Sequence, residues 1–381
     1  MNGTCDSCLR RGYLIGLLSA RIAGLVGRPG VPSKLLALDD AALAEAVGGE
    51  GRQEALAFLG RFEPRRARAD LRHAGVTAVC RHHEGYPVVL EDLEDQPAVL
   101  FCRGRVELLS AVEAEPAVTV VGTRDASPYA IDVAHDVGRG LGVAGITTIS
   151  GMALGVDGSA HRGALGACGA TIAVLAGGPD VAYPRRHRDL HRQIVESGLV
   201  VAELPPGQRP YRWSFPARNR VMAALARMTV VVEAGEASGT LITADFAQDL
   251  GRTLGAVPGL VTTRAAAGSN RLLREGAAVV RDASDVLDEL FGIGANGSGP
   301  IVAADTALDS GTPPTIPVEP EVDPVKRRLL DAVESRLDID GISTFAGLPV
   351  NETRAALARL ETRGLIRRDG LFGWERARAT R

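Results

Sequence analysis

The sequence predicts an α/β protein with a mostly parallel sheet at its core, helices before the sheet and a small helical unit after it. Three observations predict this. Seven short apolar runs alternate with helix-like stretches: AVTVVG (117–122), TTIS (147–150), ATIAVLAGG (170–178), LVVAELP (199–205), MTVVVEAG (228–235), TLGAVPG (253–259) and AAVVRD (277–282). Each run is continuously apolar rather than alternating, as in strands buried on both faces of a parallel sheet. Glycine or polar residues follow most of them, where the helices of a doubly wound, Rossmann-like domain would begin. This domain is placed at 111–292.

The flanking elements follow in order. Residues 1–110 read as an N-terminal helical region, of the SAM or helix-hairpin-helix kind, and a connection. LIGLLSARIAGLVG (14–27) and DDAALAEAVGG (39–49) carry apolar residues at helical spacing, with glycines at the turns. YPVVLEDLEDQPAVLFCRG (86–104) reads as an extended connection kept at the surface by its acidic residues. Residues 293–321, rich in Gly, Pro, Ser and Ala, read as a flexible linker. Within 322–381, DPVKRRLLDAVESR, ISTFAGLP and VNETRAALARLETRG read as three helices. LIRRDGLFGWER reads as a hairpin turning at Asp369-Gly370, and the four elements together predict a winged-helix domain.

Composition removes several function classes. The 381 residues hold 43 basic and 46 acidic side chains, a net charge of −3, with 45% hydrophobic residues. That excludes a disordered chain and a histone-like one. Lys34 and Lys326 are the only lysines, and neither follows a glycine. A Walker A loop needs Gly-Lys-Ser/Thr, so a P-loop ATPase is excluded. Five cysteines form no disulfide framework, so a cytoplasmic protein is expected. Arg10-Arg11 before GYLIGLLSA has some likeness to an export signal, but Arg21 interrupts the run. No stretch is long and apolar enough to predict a membrane span.

The motifs point to a phosphate-bearing ligand. Gly140, Gly142 and Gly145 spell G-x-G-x-x-G, but they end a predicted helix and precede a strand, the reverse of the dinucleotide fingerprint. Gly122-Thr123-Arg124 and Ser150–Asp157 lie at the carboxyl ends of predicted strands, where open α/β sheets bind ligands. Small residues there let backbone N–H groups approach a phosphate, and Arg124 can pair with it. The plainer alternative is tight turns with Asp157 as an N-cap. Between Glu203 and Glu233 no acidic residue occurs, yet Arg209, Arg212, Arg218, Arg220 and Arg227 do. Tyr211, Trp213 and Phe215 sit between them, on one side if the chain is extended. Arginine with interleaved aromatics suits a nucleic-acid strand; the alternative is core rings and solvated arginines. Arg185-Arg186-His187-Arg188 adds basic charge after the third strand. Asp157 and His161, four apart, could form an acid–base pair, though a helix-surface pair is expected. Cys5-x-x-Cys8 is half a zinc site that Cys80, His82 or His83 could complete; two unengaged thiols are expected, with no metal and no cofactor.

Several of these motifs carry a resemblance. VVGTR, SGMALGVDGSAH, LAGGPDVAYPRRH, SFPARNRVMAALA, EAGEASGTLITADFA, AVPG and GSNRLLREGA follow one another in the order and spacing of the DNA processing protein A family (DprA, also called Smf). The resemblance spans about 80–292. It implies a homodimeric, non-enzymatic protein that binds single-stranded DNA and loads the RecA recombinase onto it, in natural transformation (competence) or a related DNA recombination pathway. It places the DNA pocket at Gly122, Thr123 and Arg124, at Ser150 and Gly151, and at Arg218, Asn219 and Arg220. Arg185 or Arg186 follows the Tyr-Pro pair, and Phe215 with Ser238, Gly239 and Thr240 completes the set. The N-terminal C-x-x-C is no general feature of the family.

Two other classes compete. Nucleoside-monophosphate phosphoribohydrolases on a similar fold carry P-G-G-x-G-T-x-x-E with a catalytic glutamate. Here Gly239-Thr240 survives, but Thr243 stands at the glutamate's place. Alternatively the winged helix reads duplex DNA through Arg354, Arg359 and Arg363, and the protein is a regulator.

Overall fold

The structure, a computed structural model, describes residues 4–26 and 33–292, and beyond them Ala332, Val333, Ile342, Ser343, Phe345, Thr353, Leu357, Ile366–Arg367 and Glu375–Arg376. The chain divides into two units, Met1–Ile301 and Val302–Arg381.

The first unit opens with five helices: α1 (Asp6–Leu25), α2 (Ser33–Leu36), α3 (Asp40–Val47), α4 (Gly49–Arg61) and α5 (Pro64–His73). Leu14, Ile15, Leu18 and Ile22 make one apolar face of α1 and pack with Leu43, Ala44 and Ala55. Arg10 and Arg11 of α1 both pair with Asp40 of α3 at 3.2 Å. Next come β1 (Thr77–Cys80) and β2 (Val99–Gly104). α1 lies directly on β2, because a Cβ at Gly12 would stand 2.5 Å from Val99.

The segment expected as a surface connection is therefore different in the structure. β2 pairs antiparallel with β1 and with a later strand, and Val99–Cys102 are buried. Its acidic residue Asp95 is buried too, because it has an arginine partner described below.

All seven predicted strands are present. They alternate with helices as α6 (Glu107–Ala114), β3 (Ala117–Val121), α7 (Pro128–Val143), β4 (Thr147–Ser150), α8 (Val156–Gly166), β5 (Thr171–Leu175), α9 (Arg188–Ser197), β6 (Leu199–Ala202) and α10 (Ser214–Leu225). β7 (Met228–Val231), α11 (Leu241–Asp249), β8 (Thr253–Ala256), α12 (Ala267–Arg274), β9 (Ala278–Val279) and α13 (Ala283–Phe291) complete the unit. The sheet order is β1-β2-β6-β5-β4-β3-β7-β8-β9, parallel from β6 to β9. Alternate side chains serve opposite faces. Val118 and Val120 pack under α7, α8 and α13, while Val121, Ile149 and Val231 pack under α10, α11 and α12. From β3 the chain winds one way to β6, then crosses back to β7 on the other side of β3. This switch point opens a crevice at the carboxyl ends of β3 and β7.

Gly140 and Gly142 lie in the last turn of α7, and Gly145 (φ 75°) leads into β4. The G-x-G-x-x-G pattern is thus a helix end, as its context predicted. In the second unit the described residues are the helical positions Ala332, Val333, Ile342, Ser343, Phe345, Thr353 and Leu357 and the antiparallel pairs Ile366–Arg376 and Arg367–Glu375. These fall where helices and a hairpin were expected. The linker, the winged helix as a whole, Asp369-Gly370, Arg354, Arg359 and Arg363 lie outside the described residues. Among the described residues no helix is long and apolar enough to cross a membrane.

Candidate functional site

The switch-point crevice is a cavity of about 430 Å³. It brings together Gly122, Thr123 and Arg124 from the loop after β3, Phe215, Arg218 and Asn219 from α10, and Ser238, Gly239 and Thr240 from the turn before α11. A smaller cavity of about 120 Å³ adjoins it, sharing Arg124, Phe215 and Arg218 and adding Gly151, Tyr183 and Pro184.

The loop after β3 is fixed from below. A Cβ at Gly122 would collide with Val156, and the Thr123 N–H donates to the Glu233 carbonyl at 2.8 Å. The Glu233 carboxylate accepts from the Ser127 N–H and hydroxyl at 2.9 and 2.8 Å, while Ser127 caps α7. Gly155 (φ 76°) passes so close to the Thr123 carbonyl that no Cβ fits. Arg124 leaves this rigid base exposed, with its guanidinium 4.9 Å above the Phe215 ring centroid. It makes no ion pair among the described residues. Phe215 also contacts Tyr183, ring centroid to centroid 5.7 Å. Opposite, the N-terminus of α11 opens on the cavity, and Asn219 Nδ2 donates to the Gly239 carbonyl at 3.4 Å. A helix start beside an unpaired guanidinium favours an anion.

The turn after β4 differs from expectation. Ser150 is buried and its hydroxyl donates to the Val120 carbonyl at 2.7 Å. The Gly151 and Ala153 N–H groups donate to Asp157 Oδ2 at 3.2 and 3.3 Å. Asp157 thus occupies the anion position that the amides after Ser150 were expected to offer a phosphate. It is not the N-cap either, which is Gly155. Burial raises its pKa against the opposing pull of Arg218. Arg218 is buried beneath Gly151, donates to the Val174 carbonyl, and is drawn down to about 10 by burial. It lends the cavity floor positive charge from below. Asp157 and His161 make neither an acid–base pair nor a surface pair. His161 is fully buried against the Thr171 hydroxyl at 2.7 Å, and burial pushes it down to about 3, so it is neutral.

Arg220, expected in the pocket, lies outside both cavity linings. Its guanidinium is fully buried, 2.8 Å from Asp95 and 3.0 Å from Glu203, and it also donates to the Asp95 and Ala217 carbonyls. The aromatic row also dissolves. α10 begins at Ser214, so the three rings do not share a side; Trp213 is buried with its Nε1 donating to the Ser19 carbonyl, and Tyr211 packs in the same cluster. Only Phe215 faces the cavity. Arg227 sits at the amino end of β7, the opposite end from the site. Arg185 and Arg186 are exposed in a short turn beyond Tyr183 and Pro184, outside both cavity linings. Thr243, at the place of the hydrolase glutamate, lines the cavity and is buried. Sequence reasoning had not placed Tyr183 as a ring against Phe215; its position beside Pro184 and the basic run was the available signal.

The profile of the DNA recombination-mediator protein A family matches residues 77–291. The chain is 42% identical to a DNA processing protein DprA of Mycobacterium tuberculosis over 287 residues, 74% of this chain and 70% of that protein. It is 39% identical to the DNA processing protein DprA of Streptococcus pneumoniae over 204 residues, 54% of this chain and 71% of that one. The X-ray structure of the S. pneumoniae protein aligns with a TM-score of 0.59 at 29% identity, covering 72% of this chain and 97% of that chain. A structure of DNA processing protein A from Helicobacter pylori, solved for its single-stranded DNA binding mode, aligns with a TM-score of 0.51 at 28% identity, covering 56% and 95%.

Proposed function

The chain belongs to the DNA recombination-mediator protein A family, and from that premise we propose that it binds single-stranded DNA in the crevice between β3 and β7. The observation that carries this reading is Arg124 lying over Phe215 at the cavity mouth, with the start of α11 opposite. Arg124 takes one phosphate and Phe215 offers its ring to a base. The turn Ser238-Gly239-Thr240 takes a second phosphate at the positive end of α11. Arg185 and Arg186 extend the basic rim outward. The strand is held for delivery to RecA, and a homodimer presents two such crevices.

We read the protein as a binder rather than an enzyme. Thr243 stands where a phosphoribohydrolase needs a carboxylate, and the nearby Asp157 carboxylate is engaged by two backbone amides.

The test is fluorescence anisotropy with a labelled oligothymidine and a matched duplex, each at two salt concentrations. Tighter binding of the single strand, weakening steeply with salt, is expected. RecA filament assembly on strands coated with single-strand-binding protein then tests the delivery step. Absence of strand binding at low salt by folded protein overturns the reading.

A further inference from the structure

The four donors Cys5 Sγ, Cys8 Sγ, Cys80 Sγ and His82 lie within 4.8 Å of one another. They come from two places far apart in sequence. Cys5 is the N-cap of α1 and Cys8 lies in its first turn; Cys80 ends β1 and His82 sits in the turn that follows. His82 Nδ1 is 3.4 Å from both Cys5 Sγ and Cys8 Sγ, and the Cys5 and Cys80 sulfurs are 4.0 Å apart. Zinc bonds of about 2.3 Å to sulfur and about 2.0–2.1 Å to nitrogen, arranged tetrahedrally, set donor separations of roughly 3.6–3.8 Å. Those three separations fall within a few tenths of an ångström of such edges, and no pair among the four donors is more than 4.8 Å apart.

We propose that Cys5, Cys8, Cys80 and His82 bind one zinc ion in a closed Cys3His site that clamps the start of α1 to the end of β1. Three thiols each lose a proton as three sulfur–zinc bonds form, and neutral His82 supplies Nδ1. Four protein ligands leave no open position, so the site is structural rather than catalytic. Its surroundings suit thiolates. The Cys5 N–H points at Cys80 Sγ (3.4 Å) and the Cys8 N–H at Cys5 Sγ (3.5 Å), each a donor to developing negative charge. His83, the other histidine of the turn, is engaged elsewhere: its Nδ1 accepts from the Gly85 N–H at 3.0 Å. In place of two unengaged thiols, the C-x-x-C pair then closes a chain segment spanning 75 positions, the kind of long loop for which a cross-link removes the most unfolded-state freedom.

The inference is independent of the DNA-binding reading, and its test reads metal rather than strand affinity. The full chain, expressed with zinc and purified under reducing conditions, is expected to carry one zinc per chain by plasma mass spectrometry. Cys8→Ser and His82→Ala lose it, while His83→Ala keeps it. Cobalt(II) in place of zinc gives thiolate-to-cobalt charge-transfer absorption in the unaltered chain, which keeps the test decisive if the variants do not fold. A chelator exposes three further thiols to a thiol reagent beyond the exposed Cys168. Metal-free wild-type protein that shows no cobalt charge-transfer band, or zinc retained by Cys8→Ser, or a non-reduced mass showing a disulfide among the three, overturns the proposal.

Discussion

Arg218 and Arg220 stand two residues apart on α10 and meet different environments. Arg220 neutralises Asp95 and Glu203 in the core, so its removal leaves two carboxylates short of their partner. Arg220→Met is expected to lower stability by about 3–5 kcal/mol in chemical denaturation and to leave the strand affinity of the folded protein unchanged. Arg124 is the converse case, an exposed guanidinium that lies over a ring and makes no ion pair among the described residues. Arg124→Glu is expected to leave the denaturation midpoint in place, weaken oligothymidine binding and reduce the salt slope by about one. Phe215→Ala should cost about 1–3 kcal/mol of strand affinity. Equal strand affinity for Arg124→Glu and the unaltered chain would remove the cavity assignment. These two arginine roles were not separable from the sequence. Glu203 and Asp95 lie 17 and 125 positions from Arg220, and only the fold shows that they converge on it. Arg124 was legible, because it follows a strand-like run and a glycine at the sheet's carboxyl edge. Ser150 and Gly151 do stand at the end of a parallel strand, but Asp157 holds the amides that a phosphate was expected to take.

At the scale of elements, the parallel strands were legible because β3 to β7 are buried on both faces and so read as unbroken apolar runs. β2 was not. Its run sits between Pro97 and Gly104 after a cluster of acids, and the burial of Asp95 beside it depends on a distant arginine. The aromatic row failed for a related reason: a period of two is meaningful only in an extended chain, and α10 starts within it. The turns carry the site's rigidity. Gly155 combines a φ of 76° with backbone contact to Thr123 and Arg124, so a methyl group there must displace the loop that aims Arg124. Gly155→Ala is expected to cost about 1–3 kcal/mol from the backbone conformation alone, with added loss of strand binding. Gly166, at the other end of α8, has open space around its Cβ position. Gly166→Ala on the same helix is the control and should leave binding unchanged; a similar binding defect in both would assign the effect to α8 rather than to the loop.

At the scale of the whole molecule, every residue of the crevice and every strand that supports it lies in the unit ending at Ile301. The α1–β1 clamp lies there as well, on the antiparallel edge of the same sheet. If the crevice is the strand-binding site, the second unit is dispensable for that step. A chain of residues 1–301 is therefore expected to bind oligothymidine with nearly the full-length affinity and the same salt slope, since the same phosphates are neutralised. The competing regulator reading makes the opposite demand. A duplex-reading winged helix would take its binding with it when removed, and the full chain would prefer a particular duplex sequence that the short chain ignores. Anisotropy on the two chains, with single strand and duplex side by side, separates the readings in one experiment. Retained strand binding places the function in the switch-point crevice, and lost binding moves it to the second unit and its arginines.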